Sequence, residues 1–156
     1  VRNSTQLSDA IHIMTYIAIY HEQKNLSSTT IAESVQVTSA RVRSIMSALK
    51  KSNLIQTTNG QAKPVLMKSL EEISFYDIYA SLKMNADTLF KVDQETEKQC
   101  IVGGNIQEVL TDEYQQLQEL IEHKMREVTL ATTVKKIVSL AQQKGQLLKN
   151  SENFFN

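Results

Sequence analysis

Apolar residues recur at helical spacing from the start of the chain. Leu7, Ala10, Ile11, Met14, Ile17 and Ala18 fall on one face, which predicts a helix over 7–21. The polar stretch 24–28 breaks the pattern. Ser27, Ser28, Thr29 and Thr30 are helix-starting residues, and Thr30 with Glu33 fits a Ser/Thr-x-x-Glu capping box. A short second helix then runs to about Val35, burying Ile31, Ala32 and Val35. Thr38 is the next N-cap. Val37 before it and Val42 after it form a hydrophobic staple, and Val42, Ile45, Met46 and Leu49 carry the buried face onward. Lys50 and Lys51 close that helix where the macrodipole favours cations. Two short helices joined by two or three residues have the layout of a helix-turn-helix.

A strand is expected over 54–58, a turn at Asn59-Gly60 and a return strand over 64–67, with Pro64 confining that strand to an edge. Three helices followed by a β-hairpin make a winged helix-turn-helix. Ser74 caps a helix to about Leu82, with Phe75, Ile78, Tyr79 and Leu82 inward. The stretch 85–99 reads as a polar loop. From 102 to 128, Ile106, Leu110, Tyr114, Leu117, Ile121, Met125 and Val128 are spaced three or four apart and form one long apolar stripe. Thr129 starts a last helix over 130–141. The expected fold class is mainly α with a small β-hairpin wing. Its parts are a winged helix-turn-helix over 1–84, a linker loop over 85–101, a dimerisation helix and a C-terminal helix over 102–145, and a tail over 146–156 that looks frayed.

Composition narrows the function. The chain has 156 residues, 41% hydrophobic and 22% charged, the size and balance of one ordinary domain. Four Gly and one Pro argue against a Gly-rich dinucleotide-binding fold, and one Cys excludes an internal disulfide framework or a Cys-only metal cage within one subunit. No apolar run is long enough to span a bilayer, and no signal-peptide pattern opens the chain. The start at Val1 reads as trimmed, and a reducing cytoplasm is the expected compartment. Net charge is zero, but residues 1–68 hold eight Lys/Arg against three Asp/Glu, a balance of +5, and residues 69–156 hold nine against fourteen, a balance of −5. A basic half suggests a polyanion partner, although such splits also arise by chance.

The third helix is the first candidate site. A recognition helix reads bases from its first two turns, here Thr38, Ser39, Ala40, Arg41, Arg43 and Ser44. Arg41 and Arg43 fall off the apolar face and project outward, where they can pair with guanine or clamp a phosphate. Ser28 and Thr29 open the second helix and offer backbone N–H groups to phosphates. A plain solvated face is the competing reading. In the wing, Thr57, Thr58, Asn59, Gly60, Gln61 and Lys63 are small, polar or basic, as minor-groove or backbone contact requires, and as a simple surface hairpin would also be. Cys100 is a candidate redox sensor if the following helix lowers its pKa; otherwise it is an ordinary packed side chain. Gly103-Gly104 is either an anion nest or a loosened helical turn. His12, His21 and His123 share no metal-ligand spacing with Cys100, and no nucleophile-elbow, Walker-type or HExxH motif is present. No metal, cofactor or enzymatic activity is expected. The stripe Ile106, Leu110, Tyr114, Leu117, Ile121, Met125 and Val128 outruns the small domain before it and suits a self-paired dimer helix better than intradomain core.

The segments LSDAIHIMTYIAIY, SSTTIAESVQVTSARVRSIMSALKKSNLI, EEISFYDIYASL, QCIVGGNIQEVL and TLATTVKKI together resemble the Rrf-two family of bacterial winged-helix transcription regulators, which includes IscR, NsrR and CymR, and in particular its YwnA-type branch. The resemblance covers roughly residues 5–138. It implies a homodimer that sets its third helices (38–50) in major grooves and its wing tips (about 58–63) in neighbouring minor grooves of a palindromic double-stranded DNA site, while the long helix crosses its partner. The wing TTNGQAKPVLM departs from the family's Gly-rich pattern by keeping one Gly. Cluster-binding members carry three cysteines before the long helix and this chain carries only Cys100, so no iron–sulfur cluster is expected. Cys100 matches a recurrent cysteine position, so a thiol-based redox response stays open beside a small-molecule effector or a partner protein. The reading is a homodimeric repressor. The alternative is a winged-helix protein–protein adaptor without DNA binding.

Overall fold

The amphipathic stretches of the sequence become six helices and one short hairpin in the computed structural model, which describes residues 5–22, 25–84 and 88–146. The expectations that involve Arg2, Lys24, Asn85 and the tail beyond 146 lie outside the described residues. Helix α1 (Gln6–Tyr20) buries Ala10, Ile13, Met14 and Ile17 completely. Helix α2 (Ser28–Val35) starts earlier than the capping-box reading implies. Its cap is Ser27, whose hydroxyl accepts from the Thr30 N–H at 3.2 Å. Tertiary structure selects that start: Leu26 is buried, and its N–H donates to the Ala62 carbonyl at 2.9 Å.

Gln36, in the left-handed conformation at φ 61°, ends α2 and turns the chain into α3 (Ser39–Lys51). Thr38 caps α3 by accepting from the Arg41 N–H at 3.1 Å. Val42, Ile45 and Leu49 are buried, so the α3 face that bears Arg41, Arg43 and Ser44 turns outward. The strands are shorter than expected. β1 (Ile55–Gln56) and β2 (Val65–Leu66) pair antiparallel, Ile55 opposite Leu66 and Gln56 opposite Val65. The residues between them form a long tip. At its apex the Gln61 N–H reaches the Thr58 carbonyl at 3.1 Å, and Gly60 holds φ +76°, which a side chain adopts only with strain.

Helix α4 (Phe75–Ser81) carries a complete capping box: the Ser74 hydroxyl accepts from the Asp77 N–H, and the Asp77 carboxylate accepts from the Ser74 N–H. Helix α5 (Ile106–Glu127) begins four residues later than expected, and none of its residues is buried. The residues before it form tight turns, and they explain Gly103-Gly104. A Cβ on Gly103 would collide with the Glu97 carbonyl, and one on Gly104 would come within 2.7 Å of the Lys98 carbonyl oxygen. These turns keep helix-type bonds, Gly104 N–H to the Cys100 carbonyl and Ile106 N–H to the Val102 carbonyl, both at 2.8 Å, so they form the loosened turn expected before α5, and close backbone approach requires its two glycines.

Helix α6 (Leu130–Gln143) returns to the body of the protein. The Leu130 N–H donates to the Ile73 carbonyl and the Phe75 N–H to the Val128 carbonyl, both at 2.8 Å. Leu130, Val134 and Val138 thereby join the core of α1, α2, α3, the hairpin and α4. Within that core α6 packs beside α1, while α5, a rod of about 33 Å with no buried residue, packs against α4.

Candidate nucleic-acid interface

Three elements converge beside the outward face of α3. The start of α2, the outer side of α3 and the hairpin tip enclose a groove of about 530 Å³ lined in part by Ser27, Ser28, Arg43, Ser47, Lys50 and Gln61. Arg43 Nη1 donates to the Ser28 hydroxyl at 3.3 Å, which joins the first turns of the two helices. Among the described residues no ion pair engages Arg43, Lys50 or Lys63. The groove is therefore basic and offers hydroxyls and amides, the chemistry of a phosphate and base-edge surface.

The expected contact residues distribute as follows. Thr29, Thr38, Ala40, Arg41, Arg43, Ser44, Thr58, Asn59, Gly60 and Lys63 are exposed, and Ser28 and Ser39 are half-buried. The Thr38 hydroxyl is committed to its cap. Arg41 differs from Arg43: its Nε donates to Asp9 Oδ2 at 2.7 Å and its Nη2 to the Thr5 hydroxyl at 3.1 Å. Lys50 and Ser47 line the groove beyond the expected set, and Gln61 and Thr57 of the expected wing line it too. Lys50 stands seven residues after Arg43, two helical turns along the same face, so periodicity alone points to it. Asp9 lies 32 residues before Arg41, and no local pattern announces it.

The acidic half builds a second surface. Residues 88–98 run back along α5. The Leu89 N–H donates to Gln118 Oε1 at 2.9 Å, the Phe90 ring meets Tyr114 at 5.4 Å between centroids, and Gln107 donates to the Asp93 carbonyl and the Thr96 hydroxyl. Near its C-terminal end the Arg126 guanidinium lies 3.8 Å over the Tyr76 ring of α4. One side of the stripe is thus covered by its own chain. Ile106, Leu110, Tyr114, Ile121, Met125 and Val128 are half-buried, and Leu117 is exposed. Within α5 the freest apolar positions lie at the stripe's other edge, roughly 120–140° around the helix from Tyr114: Val109 is 54% exposed and Leu120 65%. Neither belongs to the expected set.

Cys100 is exposed in the turn before α5. The backbone N–H groups of Gly103 and, next, Val102 are directed at its sulfur and hold its pKa below the ordinary thiol value. His12 bonds the Ser34 hydroxyl at 2.8 Å, and His21 and His123 lie beside Glu22 and Glu127.

The comparisons with known proteins agree with this architecture. The family model described as "Rrf2: Iron-dependent Transcriptional regulator" matches residues 3–136. The "Putative HTH-type transcriptional regulator YwnA" of Bacillus subtilis (strain 168) is 28% identical over 127 residues, which cover 81% of this chain and 92% of that protein. Two solved structures share the fold. IscR of T. potens is 18% identical at a TM-score of 0.64, with 98% of this chain and 96% of that one covered. CymR, "the Global Cysteine Regulator of B. subtilis", is 17% identical at a TM-score of 0.63, with 86% and 96% covered. The iron in the family description does not fit the residues present. One cysteine supplies one thiolate where a cluster takes about four ligands. Among the described residues no three His, Cys, Asp or Glu side chains gather into a metal site. No helix of the described residues is long and apolar enough to cross a membrane.

Proposed function

The chain belongs to the Rrf2 family of transcriptional regulators, and from that premise we propose that it acts as a homodimeric repressor on a palindromic operator. Its relatives are DNA-binding transcription regulators, which favours DNA over the protein–protein adaptor alternative, and it is not an enzyme. One observation carries the DNA-facing assignment: the outward face of α3 opens into a groove whose Arg43 and Lys50 are engaged by no ion pair among the described residues. In this reading the first turns of α3, from Thr38 to Ser44, enter a major groove. Ser28 and Thr29 meet phosphates, and Thr58, Asn59, Gly60 and Lys63 follow the adjacent backbone or minor groove. A dimer places two such helices about one DNA turn apart, and the rods of α5 set that separation. The uncovered edge of α5, Val109, Leu117 and Leu120, together with the expected stripe from Ile106 to Val128, supports α5 as the dimer element. Occupying the operator blocks transcription directly. The protein works in the cytoplasm, where its DNA lies.

The signal enters at the turn before α5. An exposed thiol with a depressed pKa supports a redox input at Cys100. In that step the thiolate attacks a peroxide, the O–O bond breaks, and a sulfenic acid and hydroxide result. Displacing the turn would tilt α5 and spoil the spacing of the two α3 helices. The test of DNA binding is a salt series on a palindrome selected from a randomised duplex pool. Expected are a preference over scrambled duplex and a steep fall in affinity with salt. Arg43→Ala should weaken binding and lower the salt slope by about one. Equal binding to selected and scrambled duplex at every salt concentration would refute the reading.

A further inference from the structure

Arg41 and Arg43 stand two residues apart on the outward side of α3, yet the protein treats them differently. Arg43 touches one hydroxyl, whereas Arg41 is gripped twice by α1. The Asp9 side chain, only 12% exposed, accepts from Nε at 2.7 Å, and the Thr5 hydroxyl accepts from Nη2 at 3.1 Å. Nε–H and Nη2 form one side edge of the planar guanidinium, so both grips fall on that edge. The end edge, from Nη1 to Nη2, keeps its donors.

A second observation separates this arrangement from a casual surface pair. Thr5 is the N-cap residue of α1, where a hydroxyl ordinarily accepts from the helix's own first-turn N–H groups. Here it makes no capping bond and turns to Arg41.

We propose that Asp9 and Thr5 form a buttress that fixes the Arg41 guanidinium, presents its end edge to one base pair and cancels its charge toward the phosphates. The proposal rests on the DNA-facing assignment of α3. An untethered arginine swings to whichever phosphate is nearest and adds affinity without discrimination. Held by one edge, the same side chain offers two parallel N–H donors in a set direction, the geometry that matches guanine O6 and N7. Asp9 is thus a positioning residue: it lowers general affinity for duplex and raises the preference for one sequence.

The test uses the full chain and the duplex it selects from a randomised pool, with a scrambled duplex of equal length as reference. Asp9→Ala should bind the scrambled duplex several-fold more tightly, steepen the salt slope by about one, and cut the specificity ratio about ten-fold. The lost discrimination should concentrate at one symmetry-related guanine, the position where Arg41→Ala loses it too. Asp9→Asn keeps an acceptor oxygen without the charge and should recover part of the preference. Thermal unfolding shows whether each variant is folded, and Thr5→Ala, which leaves the carboxylate in place, repeats the measurement should Asp9→Ala fail to fold. Unchanged base preference in Asp9→Ala and Thr5→Ala, or an equal loss on both duplexes, overturns the buttress. A wild type that selects no duplex overturns the DNA-facing assignment itself, and the buttress with it.

Discussion

Cys100 shows how far backbone geometry can tune a single side chain. The N–H groups of Gly103 and, next, Val102 favour its thiolate, against a small opposing effect of burial. Because its pKa lies below the ordinary thiol value, the thiolate fraction at neutral pH exceeds that of free cysteine. The rate of alkylation by iodoacetamide should therefore rise with pH at a midpoint lower than that of a free thiol measured alongside. The turn that aims those N–H groups depends on Gly103, where a Cβ would meet the Glu97 carbonyl. Gly103→Ala should push the turn open and move the midpoint back up. An identical midpoint in the wild type and free cysteine would show that the N–H groups do not reach the sulfur in solution.

Among the elements, the N-caps decide where the helix-turn-helix begins and ends. Ser27 and Thr38 each satisfy one orphan N–H at the start of α2 and α3. Ser27→Ala and Thr38→Ala should each cost about 1 kcal/mol, which in a domain of this size lowers the thermal midpoint by about 2–4 °C. Glu33→Ala should leave the midpoint almost unchanged, because no capping box forms there; a larger drop for Glu33 than for Ser27 would restore the Thr30–Glu33 reading. Four consecutive Ser and Thr residues made that start ambiguous from sequence, and a bond from Leu26 to Ala62 across the fold resolved it. The helices themselves were legible because each buries one face at a spacing of three or four. The same spacing exposed Arg41, Arg43 and Ser44 by exclusion. The strand lengths were not legible, because a two-residue ladder leaves almost no alternation to detect. Nor were the contacts that organise the site. Ser28 with Arg43 and Asp9 with Arg41 join residues 15 and 32 positions apart, and such pairs exist only once α1, α2 and α3 have packed.

At the level of the whole molecule, the basic and acidic halves of the chain build different surfaces. The first half supplies the groove beside α3, and the second lays an acidic loop along α5 and leaves an apolar edge free. Buried side chains of α6 tie the two halves together, and the junction between Val128 and Leu130 is stitched to residues 70–75, so any tilt of α5 would pull on it. If α5 pairs with its counterpart, a charge at the free edge should separate the copies without disturbing either core. Leu120→Glu should shift the mass in sedimentation equilibrium from dimer to monomer. It should also weaken binding to the selected palindrome by about 100-fold or more, since each half-site then binds alone. Tyr114→Ala removes a ring that rests on Phe90 of its own chain and should shift the mass far less. A Leu120→Glu protein that stays dimeric would move the interface off this edge. A wild type that is monomeric at micromolar concentration would leave α5 without a partner, and with it the fixed separation that two recognition helices need.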